Sequence, residues 1–226
     1  MERIVQPEIL DTILPDDSRS PKLRRDLARI NFWMGNHRTI RIALKKQFGA
    51  RAPKKIVELG AGEGKLLLSI AKSSNWNNVD ATLVDRNKIV APETLAEFLR
   101  RGWRAEILTA DVFDWAQNEV TDAVIANLIL HHFESDRLAD LFRRISGQTN
   151  FFIANEPHRF RCAPLFKPLF YGLGYHAITV HDATVSIQAG FAGGELSQLW
   201  PDKKNWQLAE RRAGLFAHLF IAKRMP

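Results

Sequence analysis

The 226-residue chain, 46% apolar and 25% charged, has the composition of a globular protein and suffices for one domain with a full core. It has no apolar run near the roughly 18 residues of a membrane span, and its one cysteine, Cys162, excludes an internal disulfide framework. The net charge of +7 and pI near 9.8 admit a nucleic acid, an anionic surface or an acidic ligand as partner. The basic residues, however, are scattered pairs such as Arg24–Arg25, Lys45–Lys46 and Arg211–Arg212, which a solvated surface explains equally well. Residues 1–6 carry charge at once and show no apolar signal region, so a reducing cytoplasm is the expected compartment.

The first twenty residues are acidic and contain Pro7 and Pro15, with room for a short helix from Glu8 to Ile13. From Pro21 to Phe48 the text is helical, with Ser20 as a candidate cap. Leu23, Leu27, Ile30 and Met34 keep one face apolar, and Gly35 and Asn36 divide the stretch into two helices. This gives a helical extension over 1–50, read as a lid or as packing against the core, ahead of a main domain over 51–226.

The main domain opens on a short apolar run, Lys55 to Leu59, bounded by Pro53 and Gly60, the pattern of an interior strand. Gly60, Gly62 and Gly64 follow on alternate positions, then Leu66, Leu67, Ile70 and Ala71 at helical spacing. Closely set glycines let the backbone turn tightly and approach a ligand where a Cβ would block it. The third glycine comes one residue earlier than in the dinucleotide fingerprint. Four more strand-like runs follow, Asp80–Val84, Arg104–Leu108, Asp122–Asn127 and Phe151–Asn155, with helices expected over Pro92–Arg101 and Leu138–Ile145. Such alternation predicts a parallel sheet covered on both faces. The alternation breaks over residues 160–203, an aromatic, proline- and glycine-rich insertion with one expected helix at Glu195–Trp200. Two β-runs around Ala213–Gly214 then predict a closing antiparallel hairpin.

Glu58, Gly60, Gly62 and Gly64 together resemble the first motif of class I S-adenosylmethionine-dependent methyltransferases, and the hairpin resembles that family's ending. The resemblance runs from about Lys55 to Lys223. It implies a doubly wound, mostly parallel seven-stranded sheet with a C-terminal antiparallel hairpin. It also implies S-adenosyl-L-methionine as cofactor and S-adenosyl-L-homocysteine as product. Glu58, Gly60, Ala61, Gly62 and Gly64 would shape the methionine and ribose end, and Asp85 with Arg86 the ribose. Asp111 and Val112 would meet the adenine, and Asn127 and Leu128 would lie near the methyl group.

Methyl transfer to oxygen needs a base to take the acceptor's proton. The candidates are His158, His131 and His181, each of which has an alternative structural role; His132, Glu156, Arg159, Trp33, Asn36 and Arg38 are candidate substrate contacts. Enzymes acting on base amino groups commonly carry Asn/Asp-Pro-Pro-aromatic after the fourth strand. Here Asn127, Leu128, Ile129 and Leu130 stand there, followed by His131, His132 and Phe133, which resembles small-molecule and quinone-pathway methyltransferases. Residues 31–36, 156–159 and 181–201 resemble a bacterial polyketide or phenolic-lipid subgroup. The expected activity is O-methylation of a small aromatic or polyketide-like molecule by a monomer or homodimer. The rivals are an RNA methyltransferase and a non-catalytic cofactor-binding module. No His/Cys/Asp cluster has metal-ligand spacing in the sequence, so no metal is expected.

Overall fold

The computed structural model of the chain describes residues 2–13, 17–115, 120–160 and 167–226. Cys162, Pro164 and Phe166 lie outside the described residues, as does the side chain of Trp33. Seven strands form one sheet: β1 Lys55–Leu59, β2 Val79–Asp85, β3 Trp103–Thr109, β4 Ala123–Asn127, β5 Phe151–Pro157, β6 Trp206–Ala213 and β7 Ala217–Arg224. Their spatial order is β3-β2-β1-β4-β5-β7-β6, and β7 alone runs antiparallel, between β5 and β6. The order reverses between β1 and β4, where an open α/β sheet leaves a crevice beyond the carboxyl ends of its strands. This is the doubly wound architecture the strand pattern predicts, and the hairpin closes it as expected.

Among the described residues eight helices flank the sheet: α1 Ser20–Met34, α2 Asn36–Phe48, α3 Lys65–Ser73, α4 Pro92–Arg100, α5 Ser135–Gln148, α6 Lys167–Gly172, α7 Ala177–Ala189 and α8 Glu195–Leu199. On one face Ile40 and Leu44 of α2, Leu67 and Ile70 of α3 and Phe98 of α4 pack on Ile56, Ile125 and Ile153. On the other, Leu138 and Phe142 of α5 and Leu196 of α8 pack on Val57, Val124, Phe152 and Phe220. Strands covered on both faces must be apolar throughout, which is why β4 and β5 read as continuous hydrophobic runs. The rings of Phe142, Phe152, Trp200 and Phe220 lie 5.1 to 6.0 Å apart, mostly tilted or edge-on, and anchor the hairpin to α5.

Three local expectations change. The short helix expected over Glu8–Ile13 is a single 3-10 turn, Leu10–Thr12. Ser20 is the first residue of α1, whose opening turn is closed by the Arg19 carbonyl accepting from Lys22 and Leu23. The insertion contains a thirteen-residue helix, α7, that the sequence reading did not separate from its surroundings. Its Ile178, Thr179, Val180, Thr184, Val185 and Ile187 are β-branched, poor helix formers. Thr179, Val180, Asp182, Thr184, Val185, Ile187 and Ala189 are buried, so no single polar stripe marks the helical period.

Candidate functional site

The crevice is built from the turn after β1. Gly60, Gly62 and Gly64 have φ values of 68°, 54° and 71°, the left-handed region that side chains resist. A Cβ at Gly60 would stand 2.4 Å from Ile129 Cδ1, whereas one at Gly62 would meet nothing within 4 Å. Gly60 is thus demanded by packing, and Gly62 leaves space open above the turn. The Ala61 N–H donates to Val84 O at 3.0 Å and the Gly62 N–H to Asp85 Oδ2 at 2.8 Å, tying the loop to the end of β2. Asp85 Oδ1 accepts from Asn87 N–H at 2.8 Å, so both oxygens are fixed by main chain.

Glu58 lies 3% exposed within β1 and accepts from Leu67 N–H at 3.3 Å, at the start of α3. Burial drives its carboxyl up to about 8, the Leu67 amide opposes this, and the charge of Asp85 adds to the rise. Glu58 is therefore held mainly as the neutral acid at pH 7. Asp111, beyond β3, accepts from Phe113 N–H at 2.9 Å and pairs with Arg86 at 2.7 Å. Burial alone would raise its carboxyl, but the Phe113 amide and the Arg86 guanidinium outweigh that and lower it. Val112 beside it is buried at 5% exposure. Asp85, Arg86, Asp111 and Val112 thus line the rim where β2 and β3 end.

The other half of the crevice lies beyond β4 and β5. Asn127 and Asn155 are register partners at the ends of these strands, on the sheet face covered by α2. Asn155 Nδ2 donates to Asn36 Oδ1 of α2 at 2.6 Å. Asn36 Nδ2, Asn155 Oδ1 and Asn127 Oδ1 remain buried without a partner, as does His158 Nδ1. Buried polar atoms are normally satisfied, so the three asparagine orphans mark a place where a ligand or water completes the bonding; His158 lies apart from them, stacked on His218.

After β4 the chain turns through Leu128, at φ 56°, with its N–H on Asn155 O at 3.1 Å. Glu156, fully buried, accepts from Ile129 and Leu130 N–H at 3.1 and 3.0 Å and from His131 Nδ1 at 2.8 Å. His131 Nε2 lies 3.3 Å from Glu8 Oε1, and Ser186 of α7 also donates to Glu8. Burial would lower the His131 imidazole, but hydrogen bonds and charge from Glu156 and Glu8 raise it to about 9. Both ring nitrogens of His131 are therefore engaged, and Glu156 spends its carboxylate on the loop.

The segment around Glu8 forms a strap over this loop. Arg3 donates to Ala189 O and Phe133 O, both at 2.7 Å, and to His131 O at 3.2 Å, with its guanidinium 4.5 Å over the Phe191 ring. The N–H groups of Ile9 and Leu10 donate to Asp182 of α7 at 3.0 and 2.9 Å. Glu8 and Arg3 were not among the expected site residues. Their partners stand more than a hundred positions away, and no local pattern announces them.

The remaining candidates separate clearly. His181 is half exposed on α7, its Nδ1 2.9 Å from Asp182. Arg159 is 8% exposed, and Glu195 and the Gly190 carbonyl, the latter at 2.6 Å, hold its guanidinium. It braces the insertion against the end of β5, so these contacts place a candidate substrate residue in a structural role. His132 is half-buried with its ring 4.2 Å from that of His131, and Arg38 is exposed. His158, half-buried just beyond β5, stacks 5.8 Å from His218, which bonds Glu210 at 2.8 Å. Burial, with the neighbouring His218 and Arg212, lowers the His158 imidazole, so it is a neutral base at pH 7.

Residues 56–149 match the family model described as a methyltransferase domain. No curated protein matches the sequence. Among solved structures, a putative O-methyltransferase from Nostoc punctiforme PCC 73102 is 13% identical with a TM-score of 0.63, covering 93% of this chain and 62% of its own. The chain thus spans about three fifths of that protein's length. The plantazolicin methyltransferase BpumL, solved with a triazolic desmethyl-plantazolicin analogue and S-adenosylhomocysteine, is 12% identical at a TM-score of 0.65, covering 92% of both chains. Magnesium protoporphyrin IX methyltransferase from Synechocystis PCC 6803, solved with bound S-adenosylmethionine, is 10% identical at a TM-score of 0.57, covering 96% of this chain and 88% of its own. The fold is the Rossmann-like methyltransferase fold. Among the described residues no helix is long and apolar enough to cross a membrane.

Proposed function

We propose that the protein transfers the methyl group of S-adenosyl-L-methionine to oxygen on a small aromatic or polyketide-like molecule in the cytoplasm. The observation that carries the reading is the half-crevice at β1–β3. An open glycine turn tied to Asp85 stands beside a second rim carboxylate, Asp111. A nucleoside fits this donor set: Asp85 for the ribose hydroxyls, Asp111 and Val112 for the adenine, and Gly60 to Gly64 with Glu58 for the remainder. The orphaned amide atoms of Asn127, Asn155 and Asn36 suit an amino-acid end that both donates and accepts. The bound cofactor supplies an electrophilic methyl; the chain's own residues must align the acceptor with it and exclude water.

His158 is the base this reading selects. It follows β5, carries an unpartnered Nδ1 and is neutral at pH 7. His131 has no spare nitrogen, and His181 faces solvent on α7. Helices α1 and α7, tied together through Asp26 and His176, form the lid, with the strap as its inner edge, while α2 and α8 pack in the core. The relatives solved with S-adenosylmethionine or S-adenosylhomocysteine support the cofactor, and the plantazolicin and porphyrin enzymes support a small, ring-bearing acceptor. Arg86, Arg104, Arg143 and Arg144 are already paired with carboxylates, which disfavours a continuous nucleic-acid track.

The test is transfer of labelled methyl to a panel of phenols and hydroxylated polyketides. General-base removal typically costs 10²–10⁴-fold. His158→Ala should therefore lower kcat by about that factor while S-adenosylhomocysteine binding is unchanged. Full activity in His158→Ala, or transfer only to RNA, would refute the reading.

A further inference from the structure

The strap gathers a group of side chains that the methyl-transfer chemistry does not use. Glu8, His131 and His132 each offer one donor atom, and the three atoms lie within 4.8 Å of one another. Glu8 and His131 are buried and His132 half-buried. We propose that these three residues bind a divalent transition-metal ion of the zinc class, pinning the strap to the loop after β4.

Four observations support it. The donor set is two imidazoles and one carboxylate, with a fourth position left for water, a combination that suits zinc. Calcium or magnesium would ask for six or more ligands, mostly oxygen. The His131 Nε2 to Glu8 Oε1 distance is 3.3 Å. Two ligands about 2.0–2.1 Å from one tetrahedral ion would stand roughly 3.3–3.4 Å apart. The far nitrogen of His131 donates to the Glu156 carboxylate at 2.8 Å, the arrangement that orients metal-bound imidazoles. Glu156 is itself fixed by the Ile129 and Leu130 amides, and Ser186 fixes Glu8, so both ligands are preorganised. A dication with neutral imidazoles also balances the two carboxylates, Glu8 and Glu156. Entry of the ion displaces the proton shared between His131 Nε2 and Glu8 and needs a small inward movement of His132.

The experiment uses the full chain, stripped with a chelator and titrated with zinc by calorimetry and with cobalt by visible absorption. The expected result is one ion per chain, cobalt bands of tetrahedral intensity, and no uptake of magnesium or calcium. His132→Gln, at a half-buried position, should keep the melting temperature of the metal-free protein and weaken zinc binding at least tenfold. Glu8→Gln should do the same to the metal, and its circular dichroism reports whether the strap still packs. Absence of stoichiometric zinc overturns the proposal and leaves the cluster a protonated clamp. Zinc binding that is unchanged in His132→Gln overturns it too, by locating the ion elsewhere.

Discussion

The two halves of the crevice are held by different kinds of contact. At β1–β3, main-chain amides meet carboxylates: the Gly62 amide meets Asp85, 23 residues on, and the Phe113 amide meets Asp111, two residues back. At β4–β5, side chains more than a hundred positions apart meet, Glu8 with His131 and Asn36 with Asn155, and the Arg3 side chain reaches the Ala189 carbonyl. Main-chain binding is tolerant of sequence and suits a ligand shared by many proteins. Side-chain binding across long loops changes with each substitution and suits a particular acceptor. We propose that the first half holds the nucleoside of the cofactor, and that substrate choice resides in the strap of the second, beyond the asparagines that would meet the cofactor's amino-acid end.

The largest break comes at the turn. Gly60→Ala would press a methyl against Ile129 at positive φ, costing about 2–4 kcal/mol from strain and overpacking together. Thermal melts should fall by about 5–15 °C. Gly62→Ala, with open space around it, should melt within a few degrees of wild type. Similar melts for the two variants would contradict the packing argument.

Next is Asp85→Ala. It removes a charged acceptor from the ribose position and frees the turn, for a loss of about 10–100-fold in S-adenosylhomocysteine affinity by calorimetry, with the fold retained. On the other half, Arg3→Ala should leave that affinity within about twofold. It should raise the KM for the acceptor about 5–10-fold, because the strap loses its bonds to Ala189, His131 and Phe133. If Arg3→Ala weakened cofactor binding instead, the division between the halves would be lost.

The smallest effect is expected at Glu58. A carboxyl held near 8 is neutral at pH 7, so Glu58→Gln should change cofactor affinity less than about threefold there. Its folded value lies above its ordinary 4.5, so the native state binds the proton more tightly than the unfolded chain. Stability therefore falls as pH rises from about 4.5 through 8, and is fully present only below that window. Melts of wild type and Glu58→Gln across pH 5 to 9 should diverge, the variant showing the flatter curve. Parallel curves would show that Glu58 ionises normally.

The first half was legible in the sequence because its signals are local. The apolar run at 55–59, the spaced glycines and the acids after β2 and β3 each lie within a short window, and the strand alternation orders them. The second half was not. Glu8 sits in a segment without periodicity, and its partner is 123 positions on. Arg159 reads as an exposed cation after a strand until Glu195 is brought beside it. Helix α7 hides because burial on several sides erases the amphipathic stripe from which helices are read. Three histidines shared a plausible role in the sequence; only their partners distinguish His158 from His131.

The most direct measurement is a crystal structure of the full-length protein with S-adenosylhomocysteine. The ribose hydroxyls should lie on Asp85, the adenine beside Asp111 and Val112, and the amino-acid end among Asn36, Asn127 and Asn155. Density for the nucleoside anywhere else, or a crevice that stays closed to it at saturating concentration, would contradict the account.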